Sequence, residues 1–164
     1  MKQGDVMQVK GPTGPILYHQ NGMLTIHNKS VKALQLNMIA GGTGITPMFQ
    51  IIRKVLECSG DDTLIKMVYA NNTLEDILLK KELEELQNKY NKQFFVWHVL
   101  MESPKDQDFK CSVGFINEDI LREHLYKADE NSIVLICGPP VMIEACVRPS
   151  LDNMGYTDDN VFEF

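Results

Sequence analysis

One stretch, residues 36–49 (LNMIAGGTGITPMF), limits what this chain can fold into more than any other. Residues 36–40 form an apolar run with Asn37 as its one polar interruption, the pattern of a strand buried on both faces. The run empties into Gly41, Gly42, Thr43 and Gly44, and Pro47 is placed to open a helix, where the amide it lacks would have had no partner. Thr46, just before it, is expected to cap that helix. Strand, glycine turn and helix N-terminus in that order make a seat for an anion. Glycines let backbone amides approach closely, and the helix dipole favours negative charge at the same point. The spacing departs from the full dinucleotide fingerprint, because Pro47 stands where a third glycine would be. No Lys-Ser or Lys-Thr pair follows, which excludes the nucleotide-triphosphate loop. A tight turn that needs glycines only for its geometry also fits this stretch taken alone.

The rest of the chain supplies the context. Residues 1–30 are β-like: a short strand at 6–9, a dense turn cluster at 11–15 (GPTGP), and strands at 16–18 and 23–26 around the hairpin signal Asn21-Gly22. From residue 31 onward strands alternate with helices. Strands are expected at 36–40, 64–70, 94–100, 133–137 and 161–164. Helices are expected over 47–56, over a long stretch behind the Thr73-x-x-Asp76 box with Ile77, Leu78, Leu83, Leu86 and Tyr90 on one face, from Asn117 to residue 125, and over 141–153 with a kink or break at Pro149. The fold class is therefore α/β, a doubly wound five-stranded parallel sheet of order 3-2-1-4-5 preceded by a short β segment. In that order the winding reverses between the first and fourth strands, the two that end in glycine turns, GGTG and CGPP. Two glycine turns meeting in one crevice favour a dinucleotide over turn geometry alone.

Composition removes other classes. In 164 residues with a net charge of -6 there is no basic patch for nucleic acid. No apolar run is long enough to span a bilayer, and residues 1–5 do not read as a secretory leader. Cys58, Cys111, Cys137 and Cys146 form no C-x-x-C pair and no zinc spacing, and His19, His27, His98 and His124 are scattered, so no metal site is expected. Free thiols fit a cytoplasmic protein, or one on the cytosolic face of a membrane with an anchor outside these residues.

With these motifs placed, the chain resembles the nicotinamide-nucleotide domain of the cytochrome-b5 reductase family, which includes the matching domain of assimilatory nitrate reductase. The resemblance is carried by GGTGITPM (residues 41–48), YANNTLEDILLKKEL (69–83), SVGF (112–115), CGPPVMI (137–143) and the terminal VFEF. It implies that residues 1–30 end an otherwise absent FAD domain and that 31–164 bind NADH, with NADPH not excluded. Gly41, Gly42, Thr43 and Gly44 would face the pyrophosphate and ribose, with Thr46 and Pro47 beneath them. Cys137, Gly138, Pro139, Pro140 and Met142 would flank the nicotinamide. Phe115 would lie near the adenosine half, and Phe164 at the meeting face of flavin and nicotinamide. Cys137 and Phe164 are thus the candidates beside the hydride-transfer site. The acid that this family places after the third strand is here Met101, with Glu102 next to it as the substitute; Lys105 and Lys110 share that loop. The implied activity is hydride transfer from NADH to FAD, then electrons to a haem protein such as cytochrome b5 or a nitrate reductase haem domain. The implied partner is an FAD domain in the same polypeptide or another subunit. A nucleotide-binding module without turnover is the alternative.

Overall fold

The computed structural model describes residues 2, 4–8 and 14–164. No strand forms at 6–8, and the rest of the expected N-terminal strand and most of the GPTG turn lie outside the described residues.

A small antiparallel sheet comes first: β1 (Ile16–Tyr18), β2 (Met23–Ile26) and β3 (Lys29–Lys32). Asn21 and Gly22 both take positive φ (52° and 73°), as a two-residue hairpin turn requires. The same device recurs at His27 and Asn28 (47° and 65°), a turn without glycine that the sequence does not announce. It adds β3, which spans the change of rhythm expected at residue 31. Ile16, Leu24 and Ile26 are buried in the main core, so this sheet is packed onto the larger one.

The large sheet is parallel: β4 (Gln35–Gly41), β5 (Leu64–Asn71), β6 (Phe94–Leu100), β7 (Ser112–Val113), β8 (Ser132–Cys137) and β9 (Val161–Glu163), in the spatial order β7-β6-β5-β4-β8-β9. The five expected strands stand in the expected order. The sixth, β7, is a two-residue edge too short to show a sequence period.

Alternation along β4 assigns its two faces. Leu36, Met38 and Ala40 join α1 (Ile45–Leu56) and Leu83 of α2 (Lys80–Lys89), while Ile39 packs with α3 (Glu118–His124) and the C-terminal helix. Asn37 faces that second layer, fully buried and satisfied. Its Nδ2 donates to the Tyr156 hydroxyl (2.7 Å), its Oδ1 accepts from the Tyr126 amide (2.8 Å), and the Tyr156 hydroxyl donates on to the Tyr126 carbonyl (2.8 Å). The lone polar residue of the central strand thus pins the loop after α3 beneath the sheet. Asn37→Leu is expected to lower stability by about 2–3 kcal/mol in urea titration, because it strands the Tyr126 amide and takes from the Tyr156 hydroxyl the bond that it accepts. A loss under about 0.5 kcal/mol would mean that water replaces both bonds.

Two helices depart from the expected pattern. The stretch after β5 does not become helical until Lys80, because Leu79 takes a left-handed φ of 57°. The Thr73–Asp76 box forms only in part: the Asp76 carboxylate accepts from the Thr73 amide (3.0 Å) and from its hydroxyl (2.9 Å), closing a turn instead of a helix. At the C-terminus, α4 (Pro140–Met142) runs through a π-helical turn (Ile143–Val147) into α5 (Arg148–Asn153). Pro149 has no amide to donate and its ring crowds the carbonyl four residues back, so the helix widens just before it and continues without breaking. Asn117 caps α3 as expected, accepting from the Ile120 amide (3.0 Å). No helix among the described residues is long and apolar enough to cross a membrane.

Candidate nucleotide-binding site

β4 and β8 run side by side, with Ala40 opposite Cys137, so their two glycine turns emerge together at the carboxyl end of the sheet. They interlock. A Cβ on Gly44 would collide with the carbonyl group of Cys137 and stand 3.1 Å from the Gly138 amide nitrogen. Gly44 is buried, so glycine is needed there for turn-to-turn packing. A bulky residue at this position strikes the fold before it strikes a ligand. Gly42 is different. Its φ is +52°, and a Cβ there would meet no protein atom within 4 Å. It is the glycine that faces open space.

The helix behind this turn starts earlier than Pro47. Gly42–Gly44 make one 3₁₀ turn, α1 begins at Ile45, and its N-cap is Gly44 with no side-chain cap. Thr46 does not cap: its hydroxyl donates to the Thr43 carbonyl (3.0 Å), tightening the turn from within. No side chain caps this N-terminus; the Ile45 amide turns back on the Gly42 and Thr43 carbonyls and Pro47 has no amide, so the 42–44 turn at the positive end of the helix is the part that suits an anion.

Two adjoining cavities open from this point. One, of about 470 Å³, reaches from Gly41, Gly42 and Thr43 across the ends of β5 and β6 to Phe115. The other, of about 510 Å³, lies between Thr46 and Cys137–Gly138. Gly41, Gly42, Thr43 and Pro139 line both. Met142 lines the first cavity, while Gly44, Thr46, Cys137 and Gly138 line the second. Pro47 sits inside α1 and Pro140 opens α4, and neither lines a cavity. Phe115 stands 69% exposed at the outer lip, which excludes a core role. Phe164 lies outside both linings; its amide donates to the Ile136 carbonyl (3.1 Å), which sets it beside the end of β8. Met101 lines the long cavity, whereas Glu102, Lys105 and Lys110 do not.

Sequence reasoning missed several of these walls. Tyr69 is fully buried in β5, and its hydroxyl donates to the Gly42 carbonyl (2.9 Å), fixing the open glycine from below. Burial pushes its pKa up, so it remains a donor. Behind it His98 is pushed down to about 4, by burial first and Lys80 second, and stays neutral near pH 7. Asn71 lines the cavity with a buried Nδ2 that has no hydrogen-bond partner among the described residues. Asp76, Leu78 and Cys146 also line it. The Tyr69–Leu83 motif contained most of these residues, but nothing in its spacing says which of them turn toward the crevice.

The Cys137 thiol is half-buried, and burial, then the nearby Glu163 carboxylate, push its pKa up. It is a neutral thiol, unsuited to nucleophilic or redox chemistry.

An open anion seat, an unpaired buried amide and a long apolar arm suit a dinucleotide, and comparison with known proteins agrees. The oxidoreductase NAD-binding domain family matches residues 38–148. The chain belongs to that family. Mouse NADH-cytochrome b5 reductase 2 is 44% identical over 99% of the chain, and soybean inducible nitrate reductase [NADH] 2 is 45% identical over 98%. The crystal structure of the cytochrome b5 reductase domain of Ulva prolifera nitrate reductase superposes with a TM-score of 0.89 at 35% identity, over 94% of this chain and 59% of that one. The chain spans 60% of the length of the mouse reductase and 18% of the soybean enzyme.

Proposed function

We propose that this chain is the pyridine-nucleotide half of a cytosolic flavoprotein reductase. It works with an FAD domain, to which residues 14–32 are the connecting sheet, and with a haem-protein acceptor of the cytochrome b5 or nitrate reductase haem-domain type. NADH supplies a hydride and FAD accepts it, so no acid or base is asked of the protein. The observation that carries this reading is the convergence of the two glycine turns on one crevice at the winding reversal of the sheet.

Each residue then has a physical task. The 42–44 turn at the N-terminus of α1, with the open Gly42, receives the pyrophosphate, and Tyr69 holds the Gly42 carbonyl in place. Cys137, Gly138 and Pro139 form the wall of the short cavity against which the nicotinamide lies. Phe164, beside the end of β8 and beyond the cavity wall, stands toward the flavin. Leu78, Met101 and Phe115 offer the adenine an apolar lip at the other end.

Two measurements test the proposal. NADH fluorescence titration of this chain should show saturable binding, and addition of the flavin domain should give NADH-ferricyanide reductase activity. No binding, or binding without any activity in the joined protein, would refute it. In the joined protein Cys137→Ser should slow flavin reduction at saturating NADH by up to about a hundredfold while NADH affinity changes little, because ring stacking tolerates misplacement poorly. An unchanged stopped-flow rate with lowered stability would leave Cys137 as core packing.

A further inference from the structure

The long cavity has a charge pattern that the glycine turns do not explain. Among the described residues that line one cavity or the other, Asp76, in the long one, is the only one with a formal charge; no lysine, arginine or histidine is among them. Met101, at the same end, cannot accept a hydrogen bond usefully or repel an anion. Glu102 points its backbone amide at the Asn72 carbonyl (3.0 Å), and its side chain is not part of the wall.

The Asp76 carboxylate is held in place. Both of its hydrogen bonds, from the Thr73 amide and hydroxyl, fall on Oδ2. Oδ1 accepts none among the described residues. One oxygen is anchored in the turn and the other has no partner among the described residues, on an exposed side chain that lines the cavity.

Resting on the nucleotide reading above, the pyrophosphate sits at the helix end and the nicotinamide by Cys137. The adenosine then extends the other way, over β5 toward Phe115. Its ribose hydroxyls meet the part of the cavity lined by Asn71, Asn72 and Asp76. We propose that Asp76 is the specificity residue of this cleft: its free carboxylate oxygen accepts a ribose hydroxyl and turns away a nucleotide carrying a 2′-phosphate. A 2′-phosphate would bring close to two negative charges beside a carboxylate, with no cation on the wall to offset them and a chain of net charge -6 around it. The selection for NADH over NADPH thus lies after the second strand of the alternation, where Met101 leaves the position after the third strand without a charge.

Calorimetric titration of the chain with ADP-ribose and with 2′-phospho-ADP-ribose tests this. ADP-ribose should bind about a hundredfold more tightly at low salt, and the gap should shrink as ionic strength rises, since a charge repulsion is screened. Asp76→Asn keeps a carbonyl oxygen for both Thr73 bonds, so its melting curve should match the parent, and the gap should narrow about tenfold, mostly through tighter binding of the 2′-phosphate compound. Asp76→Glu should keep the preference. A salt-insensitive gap, equal binding of the two compounds by the parent, or a folded Asp76→Asn variant with an unchanged gap would each overturn the assignment. Binding of neither compound by the folded parent would remove the nucleotide reading itself, a distinct failure.

Discussion

Gly44→Ala should cost this chain about 4 kcal/mol and lower its melting temperature by roughly 10 °C. The added methyl carbon would fall on the carbonyl group of Cys137 and within 3.1 Å of the Gly138 amide nitrogen. Both are backbone atoms at the end of a central strand, so neither can rotate aside as a side chain could. Relief requires β4 and β8 to part where Ala40 and Cys137 are paired, in the most buried part of the sheet. Against a typical total of 5–15 kcal/mol that is a large share.

Gly42→Ala, two residues earlier, is the control that separates packing from binding. Its methyl group meets no protein atom within 4 Å, and the left-handed φ of +52° makes it cost only about 1–2 kcal/mol. The methyl occupies the space where backbone and phosphate would approach, so NADH affinity should fall by about tenfold or more while most of the thermal stability remains. Scanning calorimetry and NADH titration on both variants give the contrast. A Gly44→Ala variant that melts with the parent would mean that the turns do not interlock. A Gly42→Ala variant with parental affinity would move the phosphate elsewhere.

The different fates of these two glycines show where sequence reading stops. The GGTG motif states that a tight turn joins a buried strand to a helix, and the order of the five main strands follows from the rhythm of apolar runs. Which glycine faces a ligand depends on what the other turn places against it, and β8 lies almost a hundred residues further along the chain. The same limit explains Tyr69, Asn71 and Asp76. Strand alternation marks Tyr69 as buried, but only the folded register brings its hydroxyl to the Gly42 carbonyl. Local chemistry can also mislead. Thr73 and Asp76 have the spacing of a capping box, yet their bonds close a turn, because the αL residue Leu79 delays the helix to Lys80. Thr46 precedes Pro47 as a cap should, yet the helix has already begun at Ile45. Edge strand β7 and the His27-Asn28 turn leave almost no trace, being too short for a period and lacking the usual glycine.

The second large effect is expected at the opposite end of the sheet, where Asp61 fastens the small antiparallel sheet to the large one. Asp61 is 4% exposed and accepts four hydrogen bonds: Oδ2 from the Tyr18 hydroxyl (2.7 Å) and the Asn21 amide (2.9 Å), Oδ1 from the Thr63 amide (3.1 Å) and hydroxyl (2.7 Å). The Tyr18 hydroxyl in turn accepts from the Gly22 amide (3.0 Å), so one carboxylate holds the hairpin turn, β1 and the start of β5 together. Burial alone would raise the Asp61 pKa, but the bonds from Thr63, Tyr18 and Asn21 outweigh it and hold the carboxyl below its usual 3.8. Burial, joined by the carboxylate beside it, pushes the Tyr18 phenol up to about 12, so it stays a donor through the working pH range. Asp61→Ala removes the acceptor of all four bonds and should destabilise the chain by about 3–4 kcal/mol. Because the folded pKa is depressed, the ionised carboxylate's contribution is fully present above the ordinary carboxylate range and is lost as pH falls below 3.8 through the folded value. The parent should therefore lose stability steeply on acidification in that window, and the Asp61→Ala variant, already without the contribution, should show a shallower loss. Urea titrations of both proteins at neutral pH and through the acid range decide it. Parallel pH profiles would mean that other carboxylates govern the acid transition and that Asp61 is held by hydrogen bonds that survive its protonation.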